Sequence, residues 1–290
     1  VRGVTSQRRR RCSMNVTILG AGHMGSAMAA RLAETGHQVT VWDRDPNHSH
    51  QLSGAAKIAP ALTAALGDAS VVITMVTDGE AVHDLAQQML PVMRADTVWV
   101  QASAVGAAWA DRLRDLADAH GRTMLDAPVS GSTGPARDGT LSWLVAGPAT
   151  GVGAARPVLD ALGERLLVVG EHQEASRLKL VVNTWMTAAT VAMADSLAAC
   201  DTLGISRATL LEVISDGPLA MPYALAKAHL MNTGDYTAGF PVELALKDIR
   251  LTGKAEGGQP PLVHAVEQRL QRAVDAGHAH DDVAAVATVA

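Results

Sequence analysis

Several stretches of this chain combine residue types and spacings that could do chemistry. Gly20-Ala21-Gly22-His23-Met24-Gly25 lies between a short apolar run, Asn15 to Gly20, and a helical stretch from Ser26 to about Thr35. In a strand, glycine turn and helix of this kind, Gly20 makes the tight turn, Gly22 lets a pyrophosphate approach the backbone, and Gly25 lets helix and strand pack closely. A second strand, Gln38 to Trp42, ends on Asp43, 18 residues after Gly25. Asp43 can accept hydrogen bonds from a ribose 2′-hydroxyl, whereas adjacent Arg44 could clamp a 2′-phosphate and stack on adenine. The two neighbours disagree about which dinucleotide would bind. Further on, Asp126-Ala127-Pro128-Val129-Ser130-Gly131-Ser132 is followed by Gly139-Thr140-Leu141, so a strand ends in a turn of small residues at the carboxyl edge of a sheet. Ligands bind at such edges. Backbone N–H groups with the Ser130 and Ser132 hydroxyls could hold a carboxylate there, although Ser-Gly-Ser alone is also an ordinary turn.

Lys179 and Asn183 stand one turn apart on one face of a helix, which pairs an amine with a neutral amide. A lysine on an apolar helix is also met as a snorkelling side chain at the edge of a core. Lys247 and Asp248, in Phe240 to Leu251, read by themselves as a solvated charge pair on another helix.

The elements that must position these residues follow from pattern. From Glu174 to Leu203 there is neither Pro nor Gly and apolar residues fill nearly every turn, which predicts one long, mostly buried helix of about 45 Å. Strand-like runs at Ser70–Val76, Thr97–Gln101, Thr123–Ala127, Leu141–Ala146 and Arg165–Val169 alternate with helical segments, which predicts a doubly wound, largely parallel α/β sheet. After Leu203 only helical segments follow, at about Ser206–Ile214, Ala220–Met231, Val242–Ala255, Pro261–Ala276 and Asp281–Val289. The expected organisation is a disordered leader over residues 1–13, a Rossmann-like dinucleotide-binding domain over 14–173, a connecting helix over 174–203 and an all-α domain over 204–290.

Composition narrows the class. With 48% hydrophobic and 18% charged residues the chain can bury a sizeable core, and a net charge of -5 gives no reason to expect nucleic acid or an anionic membrane as partner. Two cysteines, Cys12 and Cys200, do not make a disulfide framework and favour a reducing, cytoplasmic location. The leader contains four consecutive arginines but lacks the apolar run of a secretory signal. The 11 histidines scatter without metal-ligand spacing; His278 and His280 come closest and read as a solvated tail.

Taken together, the early GAGHMG, DAPVSGS with GTL, Lys179-x-x-x-Asn183, KDIRL and the C-terminal HDDVAAV resemble the β-hydroxyacid dehydrogenase family over nearly the whole chain from Met14. The resemblance implies a Rossmann domain, related to the NAD-binding domain of 6-phosphogluconate dehydrogenase, joined by a long helix to a helical domain that builds a homodimer. It implies that Lys179 is the acid/base and Asn183 orients the substrate. It implies that Ser130, Gly131 and Ser132 bind a carboxylate, and that Gly20, Gly22, His23, Met24, Gly25, Asp43, Arg44, Met75, Ser103 and Lys247 face the dinucleotide. The substrate would be a small β-hydroxy acid or its semialdehyde, the cofactor NADP or NAD with Arg44 tipping the balance to NADP, and no metal is required. The chain departs from the family at Gln101, where Asp is usual, at Ala104 and Ser132, and at Gln173 and Ala175, where glycines commonly precede the lysine. The Ser103-Ala104 pair removes one hydroxyl contact, and the lost glycines stiffen the approach to Lys179. Two other readings compete. Imine reductases share the architecture but generally replace the lysine, and a non-catalytic nucleotide-binding module would keep the fold alone.

Overall fold

The computed structural model describes residues 13–49, 52, 54–255 and 260–290. The Arg-rich leader and Cys12 lie outside the described residues. The chain divides into two compact units, one ending at Ser176 and the other starting at Arg177.

The first unit runs through β1 (Asn15–Leu19), α1 (His23–Glu34), β2 (Gln38–Trp42), α2 (Pro46–Ser49), β3 (Lys57–Ile58), α3 (Leu62–Leu66), β4 (Val71–Thr74) and α4 (Gly79–Met89). It continues through β5 (Val98–Gln101), α5 (Ala107–Ala119), β6 (Thr123–Asp126), β7 (Val129–Ser130), α6 (Thr133–Asp138), β8 (Leu141–Ala146), α7 (Ala149–Leu162) and β9 (Gly163–Gly170). The strands form one sheet in the order β3-β2-β1-β4-β5-β6-β8-β7, with β9 paired to β8. From β3 to β6 every pairing is parallel, as helical crossovers require. β8 runs antiparallel to both β6 and β7, which places the turn of residues 130–132 where the sheet changes direction.

Strand side chains alternate between two cores, the reason both faces of these runs carry apolar residues. Val16, Ile18, Val71, Ile73, Val98, Val100 and Leu125 pack with Met28, Leu32 and Leu159 on one face. Leu19, Val72, Trp99 and Met124 pack with Leu85, Met89 and Leu113 on the other.

The 30-residue α8 (Glu174–Leu203) spans the division between the units and has the predicted limits. In the second unit it is followed by α9 (Arg207–Ile214), α10 (Pro222–Thr233), α11 (Val242–Ala255) and α12 (Pro261–Ala273) around a core of Leu197, Ala228, Ile249, Val266 and Leu270. Two expected helices change character. Gly277, at φ 94°, closes α12 in a π-turn over Val274–His278 instead of extending it to Ala276. Val283–Val289 is a 3₁₀ helix, whose three residues per turn stack Val283, Val286 and Val289 along one side. No helix among the described residues is long and apolar enough to cross a membrane.

Candidate active site

In the first unit the glycine loop is built as its spacing implied. A Cβ on Gly20, at φ +107°, would lie 2.2 Å from the Met75 carbonyl oxygen, and one on Gly25 would lie 1.9 Å from the Gly20 oxygen. Both positions are therefore closed to any side chain. A Cβ on Gly22 would meet nothing within 4 Å, so the backbone is open where α1 begins, and no acidic residue occupies the first turn. An open helix N-terminus with no carboxylate in its first turn fits a pyrophosphate. His23 is exposed and Met24 half-buried beside it.

Asp43 turns toward this loop. Its carboxylate accepts from the Ala21 N–H at 2.6 Å and the Asp45 N–H at 2.8 Å, and lies 3.3 Å from His48 Nδ1, while Arg44 is exposed. Met75 and Ser103 follow the ends of β4 and β5, where the Ser103 hydroxyl accepts the Val76 N–H at 2.8 Å. The unexpected Gln101 closes a small ring with Ser103. Its amide donates to the Ser103 carbonyl at 2.9 Å and accepts the Ser103 N–H at 2.8 Å. An aspartate could not supply the donating half of that ring.

Ser130 and Ser132 are half-buried on either side of exposed Gly131, whose φ of +133° favours glycine and whose Cβ would lie 2.8 Å from Leu141 Cδ2. Asp126, four residues earlier, is wholly buried, and burial pushes its carboxyl up to about 6 against the opposing pull of Ser176 hydrogen bonds and Arg114. It escaped the sequence reading because its partner Ser176 lies 50 residues away.

In the second unit Lys179 is half-buried, one turn before wholly buried Asn183. Asn183 Nδ2 donates to Asp248 Oδ2 at 2.5 Å. Asp248 is 3% exposed, which corrects the expectation of a solvated Lys247–Asp248 pair: α11 turns Asp248 inward against α8 while Lys247 stays half-buried, its Nζ 3.6 Å from Asp248 Oδ1. Thr184 and Thr252, at 3.0 Å between hydroxyls, add a second polar contact between the same two helices. The buried Asn183 Oδ1 accepts no hydrogen bond among the described residues. Burial lowers the Lys179 pKa, Asp248 pulls it back up, and Lys247 adds to the lowering. The net effect of this environment is downward. No group of three or more His, Cys, Asp or Glu among the described residues could hold a metal.

Residues 15–170 match the family described as the NAD binding domain of 6-phosphogluconate dehydrogenase, and residues 174–290 that described as the NAD-binding domain of NADP-dependent 3-hydroxyisobutyrate dehydrogenase. A 3-hydroxyisobutyrate dehydrogenase from Pseudomonas aeruginosa is 34% identical over 249 residues, covering 82% of this chain and 83% of its own. This chain belongs to the β-hydroxyacid dehydrogenase family. As a member it is an NAD(P)-dependent oxidoreductase. Glyoxylate/succinic semialdehyde reductase 1 of Arabidopsis thaliana is 28% identical over 280 residues, covering 94% of this chain and 97% of its own. The structure of a Mycobacterium tuberculosis 3-hydroxyisobutyrate dehydrogenase with L-serine superposes with a TM-score of 0.88 at 27% identity, covering 96% of this chain and 99% of that one.

Proposed function

We propose that this enzyme interconverts a small β-hydroxy acid and its semialdehyde or keto acid, with Lys179 moving the proton and NADP as the preferred dinucleotide. The observation that carries the reading is Lys179 itself, half-buried on α8 one turn from an asparagine that buried Asp248 holds in place. Residues 14–173 hold the dinucleotide through Gly20, Gly22, His23, Met24, Gly25, Met75 and Ser103. Residues 174–203 carry the proton-transfer pair, and residues 204–290 serve substrate binding and assembly.

Hydride transfer is the chemistry that a bound nicotinamide supplies. The chain's own work is protonic and electrostatic. In the reducing direction protonated Lys179 gives its proton to the developing alkoxide, and its charge stabilises that oxygen beforehand. In the oxidising direction neutral Lys179 takes the hydroxyl proton. Burial enriches the neutral form, and a substrate carboxylate nearby restores the charged one. Asn183, with its amide N–H committed to Asp248, keeps Oδ1 to accept a hydrogen bond and fixes geometry without competing for the proton. Ser130, Gly131 and Ser132 bind the substrate carboxylate through hydroxyl and backbone N–H donors. The test compares a short semialdehyde acid with the matching aldehyde that lacks the carboxylate. A higher kcat/KM for the acid is expected; equal values would remove the carboxylate contact.

The preference for NADP is supported by Asp43, whose oxygens already serve the Ala21 and Asp45 N–H groups, and by exposed Arg44 beside it. An arginine–phosphate contact of about 1.5–3 kcal/mol corresponds to roughly 10- to 100-fold in affinity. Arg44→Ala should therefore raise KM for NADPH by about that factor and leave KM for NADH nearly unchanged. An equal rise for both nucleotides would assign Arg44 to the shared adenosine part.

α8 also exposes Val181, Trp185 and Leu203 along one stripe, with Trp185 63% exposed. We assign this stripe to a homodimer contact, because its large apolar side chains gain by leaving water. Sedimentation at micromolar concentration should give a dimer, and Trp185→Asp should shift it toward monomer; a monomeric parent would contradict the assignment. A reducing, cytoplasmic setting suits buried free Cys200.

A further inference from the structure

We propose that Asp126 is a positioning residue for Lys179: its carboxylate grips the first turn of α8 and so fixes where the lysine stands. The proposal rests on Lys179 being the proton-transfer group.

Asp126 is the last residue of β6 and wholly buried. Ser176 donates its N–H to Asp126 Oδ2 at 2.7 Å and its hydroxyl to Oδ1 at 2.5 Å. Two donors of one residue on two oxygens of another fix rotation as well as distance. Ser176 is the third residue of α8, so its N–H is one of those a helix start leaves without an intrahelical acceptor. The negative charge is also placed favourably against the helix dipole. Lys179 follows three residues later, about 4.5 Å along the axis and on a neighbouring part of the same face.

The turn leading into α8 is held at a second point. Buried Arg114 of α5 donates Nη2 to the His172 carbonyl at 3.3 Å, and Glu174 accepts the His172 N–H at 2.9 Å. Gln173 and Ala175, which stand where relatives commonly have glycines, are both buried, so the turn is packed as well as bonded. The charged groups facing Asp126 are Arg114 from α5 and Glu174 from α8; its register neighbours on β5 and β8, Gln101 and Ala146, are uncharged.

An ionised carboxylate in this position runs against the protein's own stability. The folded pKa, about 6, lies above the ordinary 3.8, so the folded chain binds more protons than the unfolded one between those values. Stability from this group is full below the unfolded pKa and declines as pH rises through about 6. The charge is thus present at neutral pH at a cost, and what it secures is the grip on Ser176. Protonation converts one oxygen from acceptor to donor and loosens that grip, so turnover should fall as pH drops through about 6.

The test uses Asp126→Asn, which keeps shape and loses charge, and Ser176→Ala, which removes one donor. Expected for the asparagine variant is a kcat lower by about 10- to 100-fold with KM for NADPH unchanged. Its acid limb near pH 6 should vanish, and its melting temperature at neutral pH should be no lower than the parent's. Amides of Ser176 to Lys179 should exchange hydrogen faster in both variants. An unchanged kcat with the acid limb intact would overturn the proposal, as would losses of kcat, NADPH affinity and stability in parallel. If Asp126→Asn does not fold, the kcat and exchange rates of Ser176→Ala decide. A parent inactive on every hydroxy acid and semialdehyde would sink the functional reading, and exchange alone then judges the grip: unchanged rates in the variants would refute it.

Discussion

Lys179→Ala should lower turnover by about 10²–10⁴-fold while NADPH binding stays nearly intact, because the lysine acts on the developing alkoxide and the nucleotide loop is built from other residues. The loss should appear equally in kcat and kcat/KM, the signature of a contact made in the transition state. The stability outcome is separable and has a definite sign. Burial holds the Lys179 pKa below its ordinary 10.5, so the folded chain binds fewer protons than the unfolded one between the lowered value and 10.5. Stability therefore rises with pH through that window, and at neutral pH the buried amine is a net cost. The alanine variant should melt at or above the parent temperature near pH 7, with any advantage shrinking as the pH becomes alkaline. A variant that loses activity and stability together would assign Lys179 a structural role.

The largest stability effect is expected outside the proton-transfer pair, at Lys227. Its Nζ lies 2.7 and 2.8 Å from the two oxygens of Asp282, and the Lys227 and Asp282 side chains are 10% and 1% exposed. Asp282 also accepts the N–H groups of Gly239, Phe240 and Ala284, so one carboxylate ties α10, the loop before α11 and the C-terminal 3₁₀ helix together. Removing the lysine leaves a buried anion with backbone donors only, which costs about 3–5 kcal/mol. Lys227→Met, which keeps the stem and deletes the charge, should lower the unfolding midpoint by roughly 10 °C or more. The exposed pair of Arg207 and Asp201 is the control: its ionic groups remain in water, and Arg207→Ala should barely move the midpoint. A Lys227→Met midpoint equal to the parent's would mean that the three N–H groups suffice to hold Asp282.

The difference between these two lysines also marks what the sequence could reveal. α8 was readable to the residue because thirty positions without Pro or Gly leave no place to stop it. The glycine loop was readable because Gly20 and Gly25 have no room for a side chain, a constraint that a short spacing records. Lys179 and Asn183 were readable as a pair because helix geometry alone brings them together. What stayed hidden depends on contacts between distant segments. Asp248 looked like a solvated neighbour of Lys247 until the packing of α11 on α8 decided which face is inward. Asp126 and Ser176, and Lys227 and Asp282, are separated by 50 and 55 residues. The reversal of β8, which β9 shares, escaped because an apolar run has the same pattern in either direction. Gln101 stood out only as a departure from the usual Asp, and the structure gives it a task in pairing with the backbone of Ser103.

The most direct test of the central claim is consumption of reduced nicotinamide by the parent enzyme, with NADPH and NADH each presented to short semialdehyde acids and glyoxylate. Turnover with at least one of these carbonyl acids, faster with NADPH, is the predicted result. Bound nucleotide with no consumption across the whole set would contradict it.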